Sequence, residues 1–170
     1  MLEKTDRMLT ALNRWSLIGL LTAMVCIIFA NVALRYLTNH SIIWAEEVAR
    51  YLMVWMTFLG AGLALRRGGH VAITALPDAL GPRAAMVLRG VVALLLLGFA
   101  ALMVKIGVDY MGRMGRQLTP ATRISFWWIY LAMPMGFALF AAHLALALVS
   151  YLRSGSFEPA ERSAAPRGLA

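Results

Sequence analysis

The sequence predicts an all-α integral membrane fold: four transmembrane helices, with a short interfacial helix between the second and third. Three observations carry this. Hydrophobic residues make up 61% of the 170-residue chain and charged residues only 14%, far from the balance of a soluble domain. The uncharged residues gather into long runs at four places. The basic residues sit in the gaps between those runs and do not line one polar face, so the net charge of +8 reads as a set of topology signals, and no nucleic-acid partner is expected.

A helix needs about 20 residues to cross roughly 30 Å of hydrocarbon. The first span meets this, since Trp15 to Leu34 is uncharged, with Lys4, Arg7 and Arg14 before it and Arg35 closing it. Its apolar part is too long for a cleaved signal peptide, and no small-residue cleavage site follows. The fourth run, Ile124 to Leu152, is equally clear. It opens on Phe126, Trp127, Trp128 and Tyr130, rings suited to a headgroup belt.

The second and third spans have uncharged centres, Tyr51 to Leu65 and Gly90 to Val104, that are too short to cross alone. Each must borrow a charged turn. Arg89 and Lys105 can place their charges at the interface along their own aliphatic stems. Glu46, Glu47 and Arg50 reach less far or lie deeper, and a charge at mid-membrane costs about 2.5–3.5 kcal/mol, so they are expected near an interface, paired, or both. The spans are accordingly placed at 15–37, 42–65, 84–108 and 124–152, forming one transmembrane domain over residues 1–153.

Only Thr38, Asn39, His40 and Ser41 separate the first two spans, which forces an antiparallel hairpin. Glu46 and Arg50 stand four apart in the favourable order for an ion pair, and Glu47 is left available to Arg35 across the hairpin. Sixteen Lys and Arg divide ten to six between the two sides, with ten on the side of both termini. That bias places both termini in the cytoplasm. Between Arg66 and Arg83 the mildly apolar piece Val71 to Leu76 is expected to lie along the membrane surface, and the tail 154–170, which lacks apolar periodicity, to be disordered.

Small residues four apart, Gly19 with Ala23, Gly60 with Ala64 and Ala138 with Ala142, are candidates for close helix approach. Pro134 removes a backbone donor and should kink the fourth helix near Tyr130. Cys26 is expected to pack as a small hydrophobe. The in-span polar groups Thr22, Asn31, Thr57 and His143 form no relay. His40, His70 and His143 fall at three different depths, against haem or zinc ligation, and the sequence has no phosphate-binding glycine loop or activated nucleophile. No catalytic residue, metal site or cofactor is therefore expected. A transporter, a sensor or a supporting subunit remains, with a self-contained homo-oligomeric exporter and a membrane-anchored redox subunit as alternatives.

The run Asn31-Val32-Ala33-Leu34-Arg35-Tyr36, then Trp44-Ala45-Glu46-Glu47, then Gly60-Ala61-Gly62-Leu63-Ala64-Leu65-Arg66 and His70-Val71 resembles the DctQ-type small membrane subunit of tripartite ATP-independent periplasmic (TRAP) transporters. Gln117-Leu118-Thr119-Pro120-Ala121, followed by Tyr130, Pro134 and Gly136, is similar to that family's closing segment. The resemblance covers about residues 12 to 150. One departure is Thr122-Arg123-Ile124-Ser125, where the family has a more apolar, proline-containing stretch.

The resemblance implies a scaffold that moves nothing itself, in the inner membrane of a bacterium. Its partners would be membrane lipids, a large 12-span membrane subunit working by a sodium-driven elevator motion, and a periplasmic binding protein that delivers an organic acid such as a C4-dicarboxylate or a sugar acid. On this reading Arg35, Trp44, Glu46, Glu47 and Arg50 hold the hairpin and its contact with the large subunit. Arg66 and His70 fix the cytoplasmic interfacial segment.

Overall fold

The structure, a computed structural model, describes residues 2–66 and 81–154. They form five helices: α1 (Leu2–Thr38), α2 (Ala45–Arg66), α3 (Pro82–Met114), the single-turn α4 (Phe126–Tyr130) and α5 (Ala132–Ser154). Four spans are long and apolar enough to cross a membrane, with α4 and α5 together making the fourth. Among the described residues there is no strand, only an isolated bridge between Leu118 and Ser125. The expected interfacial helix over Val71 to Leu76, with His70 beside it, and the tail beyond Ser154 lie outside the described residues.

The element boundaries have local causes. Pro82 stands at the first position of α3, where its fixed φ suits a helix start and its missing N–H is no loss. Asn39 ends α1 at φ 56°, a left-handed conformation that asparagine tolerates better than most residues. Ser125 caps α4 by accepting from Trp127 N at 3.1 Å. The helix then breaks at Leu131, three residues before Pro134, which cannot donate to the Tyr130 carbonyl one turn back.

Helix α1 begins well before Trp15, and at 1.5 Å per residue its 37 residues reach about 55 Å, nearly twice the hydrocarbon thickness. Most of its less exposed residues follow a four-three spacing: Asp6, Thr10, Asn13, Leu17, Leu20, Met24, Ile27 and Asn31. This is the stripe of a helix packed along one neighbour. That neighbour is α2. It packs in turn on α5, and α5 on α3, so the helices form a row in the order α1, α2, α5, α3. The middle of the row holds the core, Leu65, Ala100, Phe140 and Leu144. Phe137 bridges it, its ring 5.9 Å from Phe58 of α2 and 5.6 Å from Phe99 of α3.

Close helix approach occurs at glycines other than the expected pairs. Gly19 faces open space, and Gly60 meets only the tip of Leu17. The tight contacts are at Gly62 against the His143 ring, Gly107 against Pro134, and Gly136 against the Phe58 backbone, where an added Cβ would come within 2.6–2.7 Å of its neighbour. Cys26 likewise lies exposed on α1 and does not pack inward, because it falls outside the four-three stripe. The aromatic opening of the fourth span divides its work. Trp127 and Trp128 remain exposed, whereas Phe126 and Tyr130 pack against Tyr51 and Tyr110.

Candidate functional site

Two polar clasps stand at opposite ends of α2, separated by 19 residues of helix, about 28 Å at the usual rise. The first is built on Glu47, in the opening turn of α2. Its carboxylate does not meet Arg35. It accepts from Ala121 N (2.8 Å), Thr122 N (3.1 Å) and Thr122 Oγ1 (2.6 Å) in the loop between α3 and α4.

That loop is folded to receive it. Thr119 N donates to Ile124 O at 2.9 Å and Ile124 N to Thr119 Oγ1 at 3.0 Å, closing a tight turn with Arg123 at φ 59°. Because the Thr122 hydroxyl hydrogen points to Glu47, the 2.7 Å contact between the two threonine hydroxyls must run from Thr119 to Thr122. The chain of donors ends on the carboxylate, and a charged acceptor makes each link stronger. Ser125 Oγ donates to the Gly115 carbonyl and ties off the base of the loop. The stretch Thr122 to Ser125, which departs from the family pattern, thus supplies part of the cradle for Glu47.

The remaining residues of the expected hairpin cluster lie around this clasp. Trp44, Glu46, Arg50 and Arg35 are all exposed. Glu46 and Arg50 share a face of α2 but do not form an ion pair, since Asp6 with Arg66 is the one ion pair among the described residues. The hairpin is fastened instead by Asn31, whose Oδ1 accepts from Ile42 N at 2.6 Å. Asn31, taken from the sequence only as an in-span polar group, therefore ties α1 to the turn that leads into α2.

The second clasp is at the other end of α2, where the first turns of α1 meet it. Arg66 turns inward, 8% exposed, and both its terminal nitrogens donate to the Asp6 carboxylate; the interfacial segment it was expected to fix lies outside the described residues. A buried guanidinium without a counter-charge is costly, and Asp6 is the acid that α1 presents to it. Beside the pair, Asn13 Nδ2 donates to Leu59 O at 3.0 Å and lies 3.3 Å from His143 Nε2. Arg66 also reaches the His143 carbonyl at 3.5 Å. His143 is fully buried, at the middle of α5 and level with Asn13. Asp6 and Asn13 were missed because they precede the apolar run. The available signal was their place on the stripe that continues through Leu17 and Leu20.

The described residues hold no grouping of three or more His, Cys, Asp or Glu fit for a metal. Both arrangements fasten helices and loops to one another.

Comparison with known proteins agrees with this architecture. The model of the family described as tripartite ATP-independent periplasmic transporters, DctQ component, matches residues 24–154. The ectoine TRAP transporter small permease protein TeaB of Halomonas elongata is 34% identical over 116 residues, covering 65% of this chain and 58% of that protein. The C4-dicarboxylate TRAP transporter small permease protein DctQ of Rhodobacter capsulatus is 29% identical over 123 residues, 70% of this chain and 53% of the relative. The isethionate TRAP transporter permease protein DctMQ of Oleidesulfovibrio alaskensis is 24% identical over 145 residues, 81% of this chain but only 23% of that longer protein. The chain thus spans about half the length of the small permease relatives it matches. With the family model covering most of it, this multi-pass membrane protein belongs to the DctQ family, the small permease subunits of TRAP transporters.

Proposed function

We propose that this chain is the scaffold subunit of a sodium-coupled TRAP transporter, seated in a bacterial inner membrane with both termini in the cytoplasm. It holds the large transport subunit while that subunit carries an organic acid received from a periplasmic binding protein. The chain performs no chemistry of its own. The relatives' names span C4-dicarboxylate, ectoine and isethionate, as expected if specificity resides in other components.

The observation that carries this reading is the exposed charge at the hairpin end of the bundle. Glu46, Arg50 and Arg35 keep their charges at the edge of membrane-spanning helices, beside an exposed Trp44, with no ion pair among themselves. Charge retained there without an internal partner suits contact with a neighbouring subunit, where opposed charges fix register more than affinity. The ten-to-six distribution of basic residues supports the orientation, and this end then faces the periplasm.

The test separates two neighbouring glutamates. Glu46→Gln is expected to reduce co-purification of the large subunit severalfold and to lower uptake in step. Glu47→Gln is expected to act first on the loop, speeding amide exchange at Ala121 to Ile124. Undiminished assembly and uptake in the Glu46→Gln, Glu47→Gln double variant would remove the hairpin end from the interface.

A further inference from the structure

We propose that the seam where α1, the end of α2 and the middle of α5 meet is a buried hydration site, in which Thr10, Asn13, Arg66 and His143 hold ordered water inside the bundle. Four buried side-chain atoms there have no partner among the described residues: Thr10 Oγ1, Asn13 Oδ1, Arg66 Nε and His143 Nδ1. Three of these residues form one connected group, and Thr10 lies one helical turn before Asn13 on α1. Asn13 and His143 touch through their other polar atoms at 3.3 Å, Arg66 reaches the His143 carbonyl, and Thr10 stands on the inner face of α1 between Asp6 and Asn13. Asn13, Arg66 and His143 are 4%, 8% and 0% exposed, so bulk solvent does not satisfy them. Buried polar groups of this kind are bonded as a rule, commonly to an internal water making about three hydrogen bonds.

The chemistry of the four atoms selects the ligand. Both hydrogens of the Asn13 amide nitrogen are used, one on Leu59 O and one on His143 Nε2, so the imidazole carries its hydrogen on Nδ1. The open positions are then two donors (Arg66 Nε and His143 Nδ1), one acceptor (Asn13 Oδ1) and the Thr10 hydroxyl, which can be either. An anion would be opposed by the Asn13 carbonyl oxygen, and a cation by both N–H groups. Asp6 already balances the charge of Arg66. A neutral molecule that donates and accepts from one atom fits, and water is that molecule.

The site concerns how α1 is seated. Where lipid replaces water there is no hydrophobic drive to dock a helix, and the most apolar stretch of α1 has none of its residues buried. Bound water would complete the bonding of its first turns to α2 and α5. From Leu17 to Ile27 the helix rests on dry packing alone.

The experiment is water-edited solid-state NMR on the full chain in lipid bilayers with its large subunit. Magnetisation from water should reach the Asn13 amide, the His143 ring and Arg66 Nε several times faster than Leu144 and Phe140, which are buried and apolar. Transfer as slow as to those two residues overturns the proposal, as does finding His143 Nδ1 and Arg66 Nε bonded directly to protein groups. Thr10→Val, which keeps the shape and removes one hydroxyl, should slow transfer to Asn13 at least twofold while the Leu144 and Phe140 signals stay in place. Transfer unchanged by that substitution excludes Thr10 from the site and overturns the assignment as stated.

Discussion

Asp6→Ala is expected to destabilise the bundle by about 3–5 kcal/mol, because it removes one partner of a buried ion pair and strands the other. Arg66 is 8% exposed, and both its terminal nitrogens rest on Asp6. Its long stem gives it some freedom to reach the membrane edge, which favours the lower end of that range. The companion Arg66→Leu should cost a similar amount. The double variant should lose much less than the sum of the two, since neither charge is then left alone. Unfolding titrations in mixed micelles of all four proteins measure the coupling directly. Simple additivity would mean that the pair does not hold α1 to α2.

Gly136→Ala is the second large effect. An added Cβ would lie 2.6 Å from both the Cβ and the carbonyl oxygen of Phe58 and 2.7 Å from its carbonyl carbon. Backbone cannot rotate out of the way as a flexible side chain can, so α5 must move off α2 or tilt. Overpacking of this kind costs about 1–3 kcal/mol. Gly98→Ala is the control, because nothing lies within 4 Å of its would-be Cβ. There the better helix propensity of alanine should leave stability unchanged or raised by about 0.5–1 kcal/mol. Equal effects at the two positions would contradict the α2 and α5 contact described above.

The sequence and the structure agree where local pattern decides the matter. Four spans are legible because the need to satisfy every backbone group inside lipid leaves the helix as the only form a 20-residue apolar run can take. The break at Leu131 follows from Pro134 by the same local logic. The early start of α1 is different. Residues Leu2 to Arg14 precede the apolar run, and along them the helix presents Asp6 to Arg66 and Asn13 to Leu59 and His143.

The candidate site was legible as a place and not as a set of contacts. Spacing put Glu46 and Arg50 on one face of α2, and they share it, yet neither closes an ion pair. Glu47 bonds to a loop 74 and 75 residues away in sequence, and Arg66 to an acid 60 residues away. No i to i+4 rule reaches such distances; only the packed order of helices brings those groups together. The glycines of the expected small-residue pairs, Gly19 and Gly60, fall away from the tight contacts for a related reason. Glycine and alanine are common on all four long helices, and which of them meets a neighbour depends on rotation about the helix axis.

On the proposed function the chain supports transport without conducting it. Proteoliposomes under an inward sodium gradient, supplied with loaded binding protein, test this most directly when they hold the large subunit alone, this chain alone, or both. Uptake only in the vesicles that hold both is the expected result. Solute movement in vesicles containing this chain alone, or full uptake by the large subunit without it, would contradict the account.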